Sequence, residues 1–244
     1  VLLVEGGMAR LPEAIADALG DHVRLATPVA RIEPTEDGRA CAVLRSGERI
    51  VASEVALAVP ADAQARLIEA HWPEHAAALA SVPYVPITVA AVGFARDRAP
   101  PLPDAFGFLR APDSRARILG ATFFSKLTHD AAPEGHELVD VFVGGSEDPE
   151  GAALRDEDLR YTVLRDLGHA LGGRIRPTVF DVQRWPRAIP LFAPGHRGRM
   201  AAVTAALSSS GVRLLGSQAT GVSLDQCCAP AAPIGPLPDG VVRA

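Results

Sequence analysis

The stretch LLGSQATGVSLDQC, residues 214–227, constrains the fold more than any other part of this sequence. A short apolar strand runs into Gly216, a polar turn follows, and residues 221–223 are expected to open a helix. A strand, a glycine turn and a helix N-terminus present free backbone N–H groups, which suit an anionic or electron-rich group. Short glycine motifs are common, so this stretch alone favours an ordinary strand-to-helix connection over a binding site.

Composition limits the class of protein. The 244 residues are 48% hydrophobic, enough for one large domain or two smaller ones. A net charge of −5 gives no basic footprint for nucleic acid. Three cysteines, two of them adjacent, form no disulfide framework, which indicates a reduced, cytoplasmic protein. No apolar run approaches the roughly 20 residues of a membrane-spanning helix. Peripheral contact with a membrane and formation of a homodimer both stay open.

Hydrophobic periodicity predicts two kinds of layer. Residues 54–59 form a continuous apolar strand suited to a parallel sheet, and a helix interrupted near Pro73 is expected over residues 61–80. Several strand candidates between residues 86 and 144, together with a helix over residues 156–171, indicate an antiparallel sheet with helices on one face. The fold class is therefore α/β (α+β mixed).

The expected domains are a discontinuous one, residues 1–83 and 191–227, and a second one, residues 84–190. The proline-rich tail, residues 228–244, is expected to be irregular. The segment RWPRAIPLFAPGH, residues 184–196, is predicted to be an irregular loop anchored by its tryptophan.

No motif in the sequence identifies a catalytic side chain. His71 and His75 have the spacing of a zinc-binding helix, but Trp72 stands at the glutamate position and Pro73 lies between them. The serines at 208–210 lack the context of a nucleophile elbow. This pattern is typical of an enzyme whose cofactor carries the chemistry, and it predicts no metal.

Nine segments, in one order over roughly residues 5–227, resemble the C-terminal half of the protoporphyrinogen oxidase family, whose bacterial relatives include the coproporphyrinogen III oxidases. That family belongs to the FAD-dependent amine-oxidase superfamily. The segments are GGMARLPEAIADAL, VRLATPVARIEP, VALAVPA, AFGFL, ILGATFFS, APEGHELVDVFVGG, DEDLRYTVLRDLGHALG, RWPRAIPLFAPGH and GVSLDQC.

The resemblance implies FAD as the cofactor and a porphyrinogen of haem biosynthesis, coproporphyrinogen III or protoporphyrinogen IX, as the substrate. Hydride equivalents would pass stepwise from the meso carbons to FAD, which oxygen reoxidises to yield hydrogen peroxide. The resemblance also makes the discontinuous domain a partial FAD-binding layer and the second domain a substrate-binding domain.

The resemblance also implies the site residues. Those assigned to the cofactor are Pro28, Val29, Val59, Trp185, Gly216, Ser217, Gly221, Val222 and Ser223. The Val222 N–H and the helix dipole would stabilise negative charge on the reduced flavin. The apolar residues assigned to the porphyrinogen pocket are Leu109, Phe123, Phe142 and Ile189, although an ordinary core role suits the first three equally well.

Two departures lead us to expect an incomplete version of such an enzyme. The chain contains no G-x-G-x-x-G string, which binds the FAD pyrophosphate in this superfamily. The prolines after residue 228 also exclude a continuing helix. The alternatives are a non-catalytic α/β binding module or another flavin amine oxidase-type oxidoreductase. RWPRAIP and FVGG favour the porphyrinogen branch.

Overall fold

The computed structural model describes Val4 and residues 6–228, so the predicted irregular tail beyond Cys228 lies outside the described residues. The helices are α1 (Arg10–Leu19), α2 (Ala61–Ile68), α3 (Pro73–Ala80), α4 (Phe124–Leu127), α5 (Asp156–Leu171), α6 (His196–Ser208), α7 (Ser217–Thr220) and α8 (Leu224–Cys228). The strands are β1 (Val29–Pro34), β2 (Ala40–Leu44), β3 (Arg49–Ala52), β4 (Val55–Leu57), β5 (Tyr84–Ala95), β6 (Gly107–Leu109), β7 (Ile118–Phe123), β8 (His136–Gly144), β9 (Val179–Pro190) and β10 (Val212–Leu214).

The chain divides into two units. Within the described residues, the first unit comprises the residues up to 13 and residues 85–189, and the second comprises residues 14–84 and those from 190 onwards. Each unit has its own cluster of buried apolar side chains. The assignment of cofactor and substrate to separate domains stays a prediction.

The first unit is built on a five-stranded sheet in the order β6-β7-β8-β5-β9. Acidic residues fill the first turn of α5, where they complement the helix dipole, and Gly172 ends the helix with φ +80°. Leu159, Val163 and Leu167 of α5 pack in the same buried cluster as the strand residues Val139, Val141 and Val143. These valines alternate along β8, so α5 covers one face of the sheet and leaves the other. The predicted mixed fold, with an antiparallel sheet and helices, is confirmed.

The second unit contains the parallel pair of strands and a small meander. Strand β10 runs parallel to β4, with Val212 opposite Val55 and Leu214 opposite Leu57. Strands β1, β2 and β3 form a separate antiparallel sheet. Apolar residues from both sheets and from α2, α3 and α6 form one core. The helix predicted over residues 61–80 is two helices, because Pro73 begins α3 at a position where its missing N–H costs no hydrogen bond.

Two local predictions are wrong. Residues 184–190 continue strand β9 instead of forming a loop. The two prolines in this part of β9 are tolerated because β9 is the last strand of the sheet and one of its edges needs no donors. The polar turn expected after Gly216 is the single-turn helix α7. Among the described residues, no helix combines the length and the apolar character needed to cross a membrane.

Candidate functional site

The carboxyl ends of the parallel strands β4 and β10 are held together by a buried glutamine. Gln64 of α2 is fully buried, and its Nε2 donates to the carbonyl oxygens of Leu57 (2.7 Å) and Leu215 (2.8 Å). Its Oε1 has no hydrogen-bond partner among the described residues. In open α/β sheets the carboxyl ends of the strands form the edge where ligands bind, so Gln64 sets the geometry of that edge.

A second buried glutamine extends this polar support. The Nε2 of Gln218, in α7, donates to the Leu215 oxygen (3.0 Å) and makes a longer contact with the Val59 oxygen (3.5 Å). The Gln218 carbonyl oxygen lies 2.7 Å from Nε2 of His196, which is buried at the start of α6. Because a carbonyl only accepts, His196 carries its proton on Nε2 here. The strand ends, α6 and α7 therefore form one connected network.

Sequence reasoning missed all three of these residues. The signal available for Gln64 was a glutamine on the apolar face of the predicted helix over residues 61–80. Gln218 and His196 carried no comparable signal, because their partners follow no regular spacing and lie between 3 and 159 residues away along the chain.

A groove of about 930 Å³ lies between α6 and the segment that follows α7. It is lined by Phe192, His196, Met200, Gln218, Gly221, Val222 and neighbouring residues. The rings of Phe192 and His196 stack with their centroids 4.7 Å apart. Two of the residues predicted to contact the flavin, Gly221 and Val222, thus line a concave surface.

Ser223 starts α8 in the manner predicted for residues 221–223. The Ser223 Oγ accepts from the Gln226 N–H (3.1 Å), and the Gln226 Oε1 accepts from the Ser223 N–H (3.3 Å). This reciprocal pair is a capping box. No hydrogen bond within the described part of the chain uses the N–H of Val222.

The remaining predicted cofactor residues of the second unit fall into two places. Val59 lies just beyond the end of β4, and Gly216 and Ser217 lie just beyond β10, so all three are at the strand-end edge. Val29 begins β1, and the carbonyl of Pro28, the residue before it, accepts from the Arg45 N–H (2.9 Å).

The backbone around α7 fits a flavin that approaches closely. Gly216 has φ +111° and ψ 172°, and Gly221 has φ +127° and ψ 166°, a conformation essentially restricted to glycine. Glycine adopts this conformation readily and leaves room for a ligand close to the backbone. The next residue is Val222, whose N–H makes no hydrogen bond among the described residues. The chain offers no G-x-G-x-x-G string for the pyrophosphate, so these residues fit only the flavin part of FAD.

The predicted substrate residues lie on opposite faces of the first unit's sheet. Leu109 is opposite Gly120, and Gly120 is opposite Phe142, which is itself opposite Val89. Leu109 is 87% exposed, and Phe142 and Val89 are half-buried. These residues lie on the face that α5 leaves uncovered. Phe123, in contrast, is buried in the core beneath α5, so it does not join Leu109 and Phe142.

Leu109, Phe142 and their neighbours on the same face of the sheet are called the open-face patch: Val89, Ala91, Gly107, Leu109, Gly120, Thr122, Leu138, Asp140 and Phe142. Trp185 and Ile189 are exposed on β9 of the same unit. Phe180 and Val182 of β9 pack with the α5 core, so the alternation of the strand directs Trp185 to the other face.

Asp140 is a further residue that sequence reasoning missed. It is half-buried in the open-face patch, and burial raises the pKa of its carboxyl above the ordinary value of 3.8. No hydrogen bond or ion pair to the carboxylate is present among the described residues. The available signal was an aspartate in the middle of the otherwise apolar run LVDVFV.

Comparison with known proteins places the chain in a family. Residues 1–218 match the family model of the flavin containing amine oxidoreductases. The chain belongs to this family. Within the flavin containing amine oxidoreductases, its homologues are protoporphyrinogen and coproporphyrinogen III oxidases.

Two of these relatives illustrate the extent of the match. The chloroplastic protoporphyrinogen oxidase of Nicotiana tabacum is 27% identical over 238 residues, which is 91% of this chain and 43% of the relative. The coproporphyrinogen III oxidase of Propionibacterium freudenreichii subsp. freudenreichii is 28% identical over 229 residues, 92% of this chain and 42% of the relative. The chain therefore spans less than half the length of these curated relatives.

A solved structure agrees with these relatives. The crystal structure of a protein from Exiguobacterium sp. 255-15, assigned to protoporphyrinogen oxidase, superposes with a TM-score of 0.78 at 26% identity. The match covers 93% of this chain and 49% of that protein. The fold of this chain is thus that of one half of a flavin oxidoreductase.

Proposed function

We propose that this chain supplies part of an FAD-dependent porphyrinogen oxidase of haem biosynthesis. The reaction would convert coproporphyrinogen III or protoporphyrinogen IX to the porphyrin, with oxygen as the acceptor. The observation that carries the proposal is similarity to both kinds of porphyrinogen oxidase over more than nine tenths of the chain. The two kinds match almost equally well, so both substrates are retained.

The second unit would hold the flavin part of the cofactor. When bound, FAD would accept hydride equivalents from the substrate and pass electrons to oxygen. The Val222 N–H would donate to the flavin, and the glycine conformation at 221 would let the backbone approach it. Gln64, Gln218 and His196 would act indirectly by fixing the strand ends and α7. The cofactor roles of Pro28, Val29 and Val59 belong to the same proposal.

The first unit would hold the porphyrinogen on its open-face patch. Leu109 and Phe142 would contact the apolar macrocycle, and Ile189 would contribute further apolar surface from β9. Trp185, also exposed on β9, would keep the cofactor role that the resemblance gives it. Phe123 would act through packing alone, because it lies in the core on the covered face. No side chain is assigned to acid–base catalysis, since a cofactor that removes hydride needs mainly a shaped apolar surface.

We also propose a cytoplasmic location. The support is the cysteine usage: Cys41, Cys227 and Cys228 are all free thiols, and Cys41 is buried. A reducing compartment suits such a protein.

The proposed function can be tested on two forms of the protein. The 244-residue chain and a form extended by any upstream coding sequence would be purified, and flavin absorption would be recorded for each. Porphyrin fluorescence would then follow the aerobic oxidation of coproporphyrinogen III. We expect flavin and activity in the extended form and little bound flavin in the short one. An extended form with no flavin and no oxidation would refute the proposal.

A further inference from the structure

We propose that Asp140 recognises the substrate of the open-face patch by accepting a hydrogen bond from a ring N–H of a broad apolar macrocycle. This inference rests on the proposed function, and it names the residue that would select a porphyrinogen, whose pyrrole N–H groups are donors. Nothing in the family resemblance assigned a role to this residue.

The geometry places Asp140 within a broad apolar surface. The row Leu109, Gly120, Phe142 and Val89 crosses four strands, and three strand spacings amount to about 14 Å. That breadth suits a tetrapyrrole macrocycle lying face-on. Asp140 is the residue two positions before Phe142 on β8, and side chains two apart along a strand share a face. Its carboxylate therefore lies beside the apolar row.

Among the described residues, the sheet neighbours of the carboxylate carry no compensating charge. Ala91 and Thr122 are directly opposite it, and Leu138 and Phe142 flank it along β8. None of these side chains titrates. Beyond β5, strand β9 contributes the charged residues Asp181 and Arg187, separated from β8 by two strand spacings, or about 10 Å.

An unpartnered, half-buried carboxylate is costly in the absence of a ligand. Partial desolvation disfavours its charged form, and a ligand that covers the patch would remove the solvent to which its oxygens are still open. A ligand that presents an N–H group recovers that cost. A wholly apolar ligand would bury the carboxylate further and recover nothing. The patch therefore favours an apolar ring that carries N–H donors over an apolar ring that lacks them.

The test measures ligand binding without flavin. Calorimetric titration under argon would compare coproporphyrinogen III binding to the wild-type chain, Asp140→Leu and Asp140→Asn. Asp113→Leu is the matched control, because Asp113 is an exposed aspartate in a loop of the same unit. A second ligand, nickel(II) coproporphyrin III, carries the same peripheral groups without any pyrrole N–H. Circular dichroism would confirm that each variant is folded.

We expect Asp140→Leu to weaken coproporphyrinogen III binding by about tenfold or more, the size of a hydrogen bond to a charged acceptor. Asp140→Asn keeps an acceptor oxygen and should lose less. Asp113→Leu should bind like the wild type, and the nickel complex should bind Asp140→Leu at least as tightly as the wild type.

Equal binding of coproporphyrinogen III by the wild type and Asp140→Leu would overturn the inference about Asp140 and leave the proposed function intact. An equal loss for the nickel complex would also overturn it, because the effect would then not depend on N–H donors. If the wild-type chain bound no porphyrinogen, both this inference and the substrate role proposed for the patch would fail.

Discussion

Polar side chains among the described residues differ in how far the fold supplies them with hydrogen-bond partners. Gln218 and His196 make their hydrogen bonds inside the second unit, and Gln64 uses both protons of its amide nitrogen there. Asp140, on the open-face patch, makes none within the described residues. Gln64 Oε1 also has no partner there. Polar groups removed from water are normally paired, so a half-buried carboxylate without a protein partner marks a position where stability has been given up, as happens at functional sites.

Replacing Asp140 with asparagine should stabilise the protein at neutral pH. The pKa of Asp140 is raised by burial, so the folded state binds its proton more tightly than the unfolded state does. The free energy of unfolding therefore falls as the pH rises through the ordinary value of 3.8 to above the raised pKa. Thermal melts should show a higher Tm for Asp140→Asn at pH about 7, and the gain should vanish at the acidic end of that window.

Asp148→Asn is the matched comparison of opposite sign. The Arg117 guanidinium donates to both Asp148 oxygens, at 2.7 and 2.8 Å, and lowers the pKa of that carboxyl. Its stabilisation is present above the ordinary value of 3.8 and is lost as the pH falls through the lowered pKa. We expect Asp148→Asn to lower the free energy of unfolding by about 1 kcal/mol at neutral pH. A loss of Tm in Asp140→Asn at neutral pH would contradict the assignment of its carboxylate as unpartnered.

Gln64→Met should destabilise the second unit by about 1–2 kcal/mol, because it removes two buried hydrogen bonds while keeping the side-chain volume. The loss is limited because the Leu57 oxygen also accepts from the Leu215 N–H (3.0 Å) and the Leu215 oxygen also accepts from Gln218. Urea unfolding gives the free energy. Gln183→Met, at an exposed position on β9, is the control and should be nearly neutral. Equal values for the two variants would show that Gln64 does not hold the strand ends.

At the scale of elements, the segment from β10 through α7 to α8 is shaped by its two glycines. Strand β10 ends at Leu214, α7 makes a single turn, and α8 begins only after Ser223. Gly216 precedes α7 and Gly221 follows it, each in a conformation that L side chains rarely adopt. These two residues allow the chain to change direction twice at the edge where the parallel strands end.

Gly221→Ala should therefore destabilise the protein by about 1–3 kcal/mol, the range for a residue forced into such backbone conformations. An added Cβ would also lie 2.3 Å from Gln226 Oε1, which disturbs the capping box of α8. Gly198→Ala is the control, since Gly198 lies inside α6 and an added Cβ there meets nothing within 4 Å. That change should stabilise by about 0.5–1 kcal/mol. Chemical unfolding of both variants gives the two changes in the free energy of unfolding, and a neutral Gly221→Ala would show that residue 221 does not require glycine.

At the scale of the whole molecule, the described residues form two hydrophobic cores, one in each unit. Leu167 of α5 is fully buried in the first core, and Leu207 of α6 is fully buried in the second. Each core draws on segments that are distant in sequence, since the second unit combines residues on both sides of the first. The sequence pattern predicted a discontinuous domain of residues 1–83 and 191–227, and both that division and the roles assigned to the two domains stay predictions.

Leu167→Ala and Leu207→Ala should each lower the free energy of unfolding by about 2–5 kcal/mol, the range for large-to-small changes in a core. Hydrogen exchange read by mass spectrometry would locate the loss. We expect Leu167→Ala to speed exchange mainly in β5, β7, β8 and α5, and Leu207→Ala mainly in β4, β10 and α2. Uniform acceleration across the chain in both variants would mean that the two cores unfold as a single cooperative block.

Sequence alone determined the types of the main elements, the mixed fold and the family, because these depend on local periodicity, turn residues and strings of residues in order. It marked the continuous apolar strand that became β4, the strand-glycine segment at residues 214–227 and the strands of the antiparallel sheet. Only the tertiary structure decided which faces those residues occupy. Leu109 and Phe142 share the uncovered face and Phe123 lies beneath α5, because register between strands and the face chosen by a helix arise from contacts distant in the chain. The network of Gln64, Gln218 and His196 and the unpartnered Asp140 belong to that same level, since a polar residue acquires its partner, or lacks one, only after the strands are paired.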